Sequence, residues 1–375
     1  MSKPGIVTLT SVVLLSQLES GIAADTNQWA ELESRVVERG LSLDEVLIPG
    51  RLTPEMQAWV HSKVPGDATE AETIRALLFA LIEPFELRLT YDASHTGTAA
   101  EVWETRKANC LGFTHLFVGL SRELGLRTYY VRWARVQNFR KEGDLVVVSE
   151  HVSAGFGTGP QRQVLEFGAV EGLERKLSYP ISDLEALARH YANLSAEALQ
   201  SGDLQSAQSL ARIATQLEPT LPEGWVNLGV SRRRSGDLAG AESAYMSASA
   251  ADPDHLPAYL NLSALMQIEG REDVANEILG LLDRRDNRNP YVYLALGDAS
   301  YYEARLSEAD RYYRRATKLG PDLAEPRAAR GLVALKFGNP KAARRWLKRA
   351  QARNPEDHRV KELVTKLSQQ LDASG

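Results

Sequence analysis

The chain of 375 residues is too long for one typical hydrophobic core, so its length predicts two domains. Apolar residues make up 43% and charged residues 25%, ordinary for a soluble globular protein, and a formal net charge of −5 gives no global reason to expect a nucleic-acid partner. The single cysteine, Cys110, excludes an intramolecular disulfide and a zinc site built mainly from cysteine.

At the N-terminus, Lys3, the apolar run from Ile6 to Leu15 and the small residues of "GIAAD" predict a cleaved export signal over residues 1–24. That predicts an exported, periplasmic location. The alternative is a frayed tail on a cytoplasmic protein. The run is too short for a good transmembrane helix, and no later segment is apolar for long enough to span a bilayer. Residues 25–71 read as an N-terminal helical segment.

From residue 72 the pattern changes. "EAETIRALLFALIEPFELRLTYD" reads as an apolar helix followed by a short extended piece, and a second helix is predicted from about Thr98 to Thr105. Asn109 is a good N-cap, and Phe113, Leu116, Phe117, Leu120 and Leu124 then recur at helical spacing until Gly125 ends the helix. Cys110 therefore falls in the first turn of an amphipathic helix. There the free backbone N–H groups and the helix dipole favour thiolate over thiol. His115 lies on a different side of that helix and reads as structural or exposed.

Three extended runs follow: "RTYYVRWARV" (127–136), "DLVVVSEHVSAGF" (144–156) and "RQVLEFG" (162–168). A helix beneath an antiparallel sheet is an α+β core. His151 is on the second run and Glu166 on the third, and adjacent antiparallel strands can set two such side chains together. A thiol nucleophile needs that set: imidazole takes the thiol proton and the acid fixes the imidazole tautomer and orientation. Asn109 and nearby backbone N–H groups are candidates for an oxyanion hole by placement alone.

Residues 72–180 resemble the transglutaminase-like (papain-related) cysteine fold. The resemblance rests on "LTYDASHTGTAAEVWETRKANC", "CLGFTHLFVGLSRELGLRTYYV", "SEHVSAGF" and "QVLEFG". It implies a triad of Cys110, His151 and Glu166, with Glu166 where the family usually has Asp and Ala108 where it often has Gly. The implied chemistry is acyl transfer at an amide, as a protease, deamidase or transglutaminase, with hydrolysis favoured. Nothing marks a calcium site or another cofactor. The alternative is a fold that has lost activity and works as a scaffold.

The second half has a fixed period. Pro219, Pro253, Pro321 and Pro355 are spaced by 34 residues or twice 34, with Asn287 on the missing beat. Tyr191, Trp225, Tyr259 and Tyr293 keep that register, as do Leu194, Leu228, Leu262 and Leu296. So do the small residues Ser195, Gly229, Ser263, Gly297 and Gly331, and the alanines Ala207, Ala241, Ala275, Ala309 and Ala343. Small residues let paired helices approach closely while large ones fill the facing gap. Residues 188–355 thus resemble five tetratricopeptide units, an all-α solenoid, with a degenerate third unit (Leu282 replaces a small residue) and a capping helix and tail over 356–375. The resemblance implies a protein or peptide partner in the groove lined by the first helix of each unit. Groove candidates are Arg233, Arg234, Tyr291, Tyr301 and Tyr302. The basic run "KAARRWLKRAQAR" (341–353) reads as a solvated helix face, with docking of an acidic peptide or anionic polymer as the sharper alternative.

Overall fold

The computed structural model describes residues 28–372 except 84, 94, 143–144, 158–162, 166, 168–177 and 284–288, with backbone alone for the rest of 134–150 and for 370–372. The expected export signal, residues 1–24, and the expected triad member Glu166 lie outside the described residues. The chain divides into two compact units, Met1–Pro253 and Asp254–Gly375.

The first unit opens with α1 (Gln28–Glu38), α2 (Pro54–Lys63) and α3 (Glu70–Ile82). Then come β1 (Thr90–Tyr91), α4 (Ala99–Thr105), β2 (Lys107–Ala108) and α5 (Cys110–Glu123). Strands β1 and β2 pair in parallel. A four-stranded antiparallel sheet follows, β3 (Thr128–Glu142), β4 (Leu145–Phe156), β5 (Gln163–Leu165) and β6 (Ser178–Ile181), in the order β5-β4-β3-β6. Helices of this unit pack on an antiparallel sheet. One core joins Met56, Ile74, Leu77, Trp103, Phe113 and Phe117 to Val152, Ala154 and Phe156 of β4. Two features differ from expectation. The residues expected as a loop after Val136 continue as strand to Glu142. Strand β6, which closes the β3 edge, was unforeseen, because four residues including Pro180 carry little strand signal.

Gly119 explains why α5 can lie so deep. A β-carbon there would stand 2.4 Å from the carbonyl oxygen of Gly50, so only glycine lets the 49–52 chain cross the helix.

The sheet leads into the first two repeat units: α6 (Asp183–Ser201) with α7 (Leu204–Leu217), and α8 (Pro222–Arg234) with α9 (Leu238–Ala251). The expected boundary near residue 180 does not divide this unit. Leu32 and Val36 of α1 share a core with Leu184, Leu187, Tyr191 and Leu217, and the Leu47 N–H donates to the Tyr191 hydroxyl at 2.7 Å. Met56 and Val60 of α2 are buried in the core under the sheet.

The second unit holds the remaining three pairs and the cap: α10 (Leu256–Ile268) with α11 (Glu272–Asp283), α12 (Pro290–Tyr302) with α13 (Leu306–Leu319), α14 (Glu325–Lys336) with α15 (Pro340–Gln351), then α16 (His358–Asp372). The expected packing rule is visible atom by atom. A β-carbon on Gly229 would lie 2.4 Å from the Tyr245 ring, and one on Gly297 2.4 Å from the Tyr313 ring. Val360, Leu363 and Leu367 of α16 are buried over the last pair. Left-handed glycines at 202, 236 and 338 make the turns between paired helices, where Asp203, Asp237 and Asn339 cap the next helix.

Candidate functional site

Asn109 positions Cys110. Its Oδ1 accepts the Gly112 N–H at 2.8 Å, capping α5, and its Nδ2 donates to the Thr96 hydroxyl at 2.8 Å. The buried carboxamide thus spends its acceptor and a donor on structure. Cys110 is the first residue of α5 and is partly exposed.

Cys110 opens into a small pocket of about 30 Å³ together with Leu111, Val152, Arg189, Ala192, Asn193, Leu221 and Glu223. A volume of that size holds about two water molecules. Its far wall comes from the repeats: Arg189, Ala192 and Asn193 lie on α6, and Leu221 and Glu223 at the start of α8. The Arg189 guanidinium donates to Glu185 at 2.9 and 3.1 Å. One carboxylate oxygen of Glu223 is buried with no hydrogen-bond partner among the described residues.

His151 is buried on β4, next to the pocket residue Val152. Val152, Ala154 and Phe156 face the core beneath α5. Ser153 takes the other face, where it accepts the Trp133 indole N–H at 2.8 Å. Regular alternation assigns His151 to the Ser153 face. At His151, however, the ladder is irregular. Arg132 pairs with Val152 and Gln137 with Glu150, so four residues of β3 stand against this one residue of β4. Such bulges re-aim side chains and recur beside active sites. Beyond β5, Phe167 stacks on Phe113 of α5 with ring centroids 4.0 Å apart.

A second group of titratable residues lies between α5 and α6. The His115 ring is fully buried, hydrogen-bonds Tyr130 at 2.9 Å and packs edge-on against His190 at 5.1 Å. Burial, with His190 beside it, pushes the His115 pKa well down. Burial pushes His190 down to about 4, against the pull of Glu101 and with His95 adding to the effect. His115 is therefore structural rather than exposed. Sequence spacing gave no sign of its partner, which lies 75 residues on in another repeating pattern.

The expected groove residues do not share one environment. Tyr291 is buried, because α12 is apolar on nearly every side and packs between neighbours, so it is not a groove-exposed residue. Tyr301 packs partly against the core of the last pair, and Tyr302 is 82% exposed. In the first unit, Arg234 donates to the Leu199 carbonyl at 2.8 Å and ties adjacent repeats together, while Arg233 is partly exposed on α8.

A family model described as "Tetratricopeptide repeat" matches residues 193–255 and 294–358. The chain carries tetratricopeptide repeats. The matched segments pass over the third pair, where Leu282 is fully buried in the place of a small residue. Among solved structures, Pseudomonas aeruginosa pilF is 19% identical over 49% of this chain and 84% of that one, with a TM-score of 0.43. PilW, a type IV pilus biogenesis factor, is 19% identical over 48% and 88%, with a TM-score of 0.40. MamA from Desulfovibrio magneticus RS-1 is 18% identical over 46% and 97%, with a TM-score of 0.37. No curated protein matches the chain. Repeats of this kind are consistent with a protein or peptide partner. Among the described residues, no helix is long and apolar enough to cross a membrane.

Proposed function

We propose that the protein couples a thiol-dependent acyl-transfer site of transglutaminase-like type to a repeat array that recruits a protein or peptide. The observation that carries this reading is Cys110 at the first position of α5, opening into a pocket beside Val152, the neighbour of His151. The Cys110 thiolate attacks an amide carbonyl and forms the carbon–sulfur bond. His151 gives its proton to the departing amine, and Glu166 holds the imidazole in orientation. Water then cleaves the thioester to an acid, or a second amine cleaves it to a new amide. In either case the thiolate is regenerated. Export through the N-terminal segment belongs to the same reading, and mass spectrometry of the protein purified from its native cell tests it: an intact Met1 in the mature protein opposes it.

Alkylation kinetics test the site. Cys110 labels with iodoacetamide faster than glutathione at neutral pH, and His151→Ala brings the rate back towards that of glutathione. A wild-type rate no faster than glutathione, or one indifferent to His151, sinks the proposal.

Two observations favour a second reading, a repeat scaffold on an inactive cysteine fold. The pocket is small, about 30 Å³, and regular alternation turns His151 away from Val152. On that reading the Cys110→Ser protein retains every partner and loses no activity.

A further inference from the structure

The last repeat pair segregates charge. From Pro326 to Pro355 there are nine Lys and Arg residues and no Asp or Glu, in a chain with 44 basic and 49 acidic residues. Helix α15 carries five of the nine: Lys341, Arg344, Arg345, Lys348 and Arg349, all exposed. At about 100° per residue they occupy one arc of about 140°, some 12 Å long. The opposite side of α15 holds the buried Ala343 and Ala350.

Several other cations of this unit are matched. Arg314 and Arg330 share Asp310 at 2.8 Å, Arg353 meets Asp322 at 3.1 Å, and Arg359 grips Asp298 at 2.6 Å. None of the five on α15 has a carboxylate within ion-pair reach among the described residues. Like charges crowd there instead. Arg327 is pulled below the ordinary guanidinium range by burial and by Arg353 and Arg349 nearby. Trp346 fixes the face, with the guanidinium of Arg330 4.0 Å and that of Arg349 5.0 Å from its ring centroid.

We infer that the exposed face of α15 is a docking surface for a short acidic segment of a partner protein. The face belongs to the second helix of its pair, so it is separate from a groove lined by first helices. Charge complementarity names the chemistry: carboxylates spaced along two to three helical turns would meet Lys341, Arg344, Arg345, Lys348 and Arg349 in register. Extent selects the class of partner. Beyond the patch the chain is net negative, and its field decays over about 8 Å at physiological salt. A long nucleic acid or an anionic bilayer extends past the patch into that repulsion, whereas a peptide matched to one helix stays inside it. The inference is independent of the thiol reading, since it uses no residue of the first unit.

The test uses the full chain and three probes: a fluorescein-labelled dodecaglutamate peptide, a single-stranded DNA dodecamer, and phosphatidylserine vesicles. The peptide binds most tightly, and its affinity falls about tenfold or more between about 50 and 200 mM salt. Arg344→Glu with Arg345→Glu and Lys348→Glu lowers peptide affinity at least about tenfold while the circular dichroism spectrum is unchanged. The milder triple change to Gln, which preserves helix propensity, gives a smaller loss in the same direction and stands in if the Glu variant does not fold. No peptide binding at low salt, binding indifferent to these changes, or tighter binding of the DNA or the vesicles overturns the inference.

Discussion

His115 and His190 pack edge to face, 5.1 Å between ring centroids, with both side chains sealed from solvent. Nε2 of His115 and Nδ1 of His190 have no hydrogen-bond partner among the described residues. Two imidazoles in that setting must stay neutral, because a charge on either would be buried beside a second base. Tyr130 is the hydrogen-bond partner of His115, and Glu101 and His95 supply the nearby charges acting on His190.

This pair makes the first unit acid-sensitive. His190 has its pKa pushed down to about 4 in the folded state, whereas an unfolded histidine titrates near 6.5. Between those values the unfolded chain binds the extra proton and the folded one does not, so stability falls as pH drops from about 6.5 towards 4. The loss from His190 alone is roughly 3 kcal/mol, with His115 adding in the same direction. Urea midpoints for the first unit, followed between pH 7 and 4.5, decline on that path. His190→Leu flattens the slope, and an unchanged slope in that variant refutes the assignment.

Glycine at the small position of the second repeat is a packing requirement. Gly229→Ala drives a methyl to 2.4 Å from the Tyr245 ring. Overpacking of this kind costs about 1–3 kcal/mol. Gly280, inside α11, meets nothing within 4 Å of a built β-carbon. Gly280→Ala therefore stabilises by about 0.5–1 kcal/mol, through helix propensity alone. Thermal melts of the two variants should move in opposite directions.

Arg359 on α16 donates to both oxygens of Asp298 on α12, at 2.6 and 2.8 Å, and approaches Glu325 at 3.6 Å. Asp298 also accepts the Tyr313 hydroxyl at 2.7 Å. Arg359→Leu removes the guanidinium that both oxygens of the partly buried Asp298 accept from. It lowers the stability of the second unit by about 2–4 kcal/mol, somewhat less than a fully buried broken pair. Hydrogen exchange localises the loss: amides of α16 lose protection first, and uniform loss across the unit contradicts this role for Arg359.

Asn109→Ala removes the α5 cap and strands the Thr96 hydroxyl, at a cost of about 1–2 kcal/mol in denaturant unfolding. Asn109→Asp keeps the capping oxygen, and the Thr96 hydroxyl can turn to donate, so most of that stability returns. Equal losses in the two variants would mean that capping is not the function of this side chain.

The repeats were legible because their signal is periodic. Ala241, Ala309 and Ala343 recur at fixed spacing, and each is fully buried between helices. The cap at Asn109 was legible because it is local to its helix. The wall opposite Cys110 was not legible. Arg189, Asn193 and Glu223 belong to the repeat register, and only tertiary packing of α6 and α8 brings them to the cysteine. Tyr291 shows the converse, since its position on the first helix of a unit suggested a groove surface where packing buries it.

The core shared by α1, α6 and α7 has a practical corollary for anyone dissecting this chain. Cleavage near residue 180, where the motif boundary falls, would split that core, expose Leu32, Val36, Leu184 and Leu187, and remove the far wall of the Cys110 pocket.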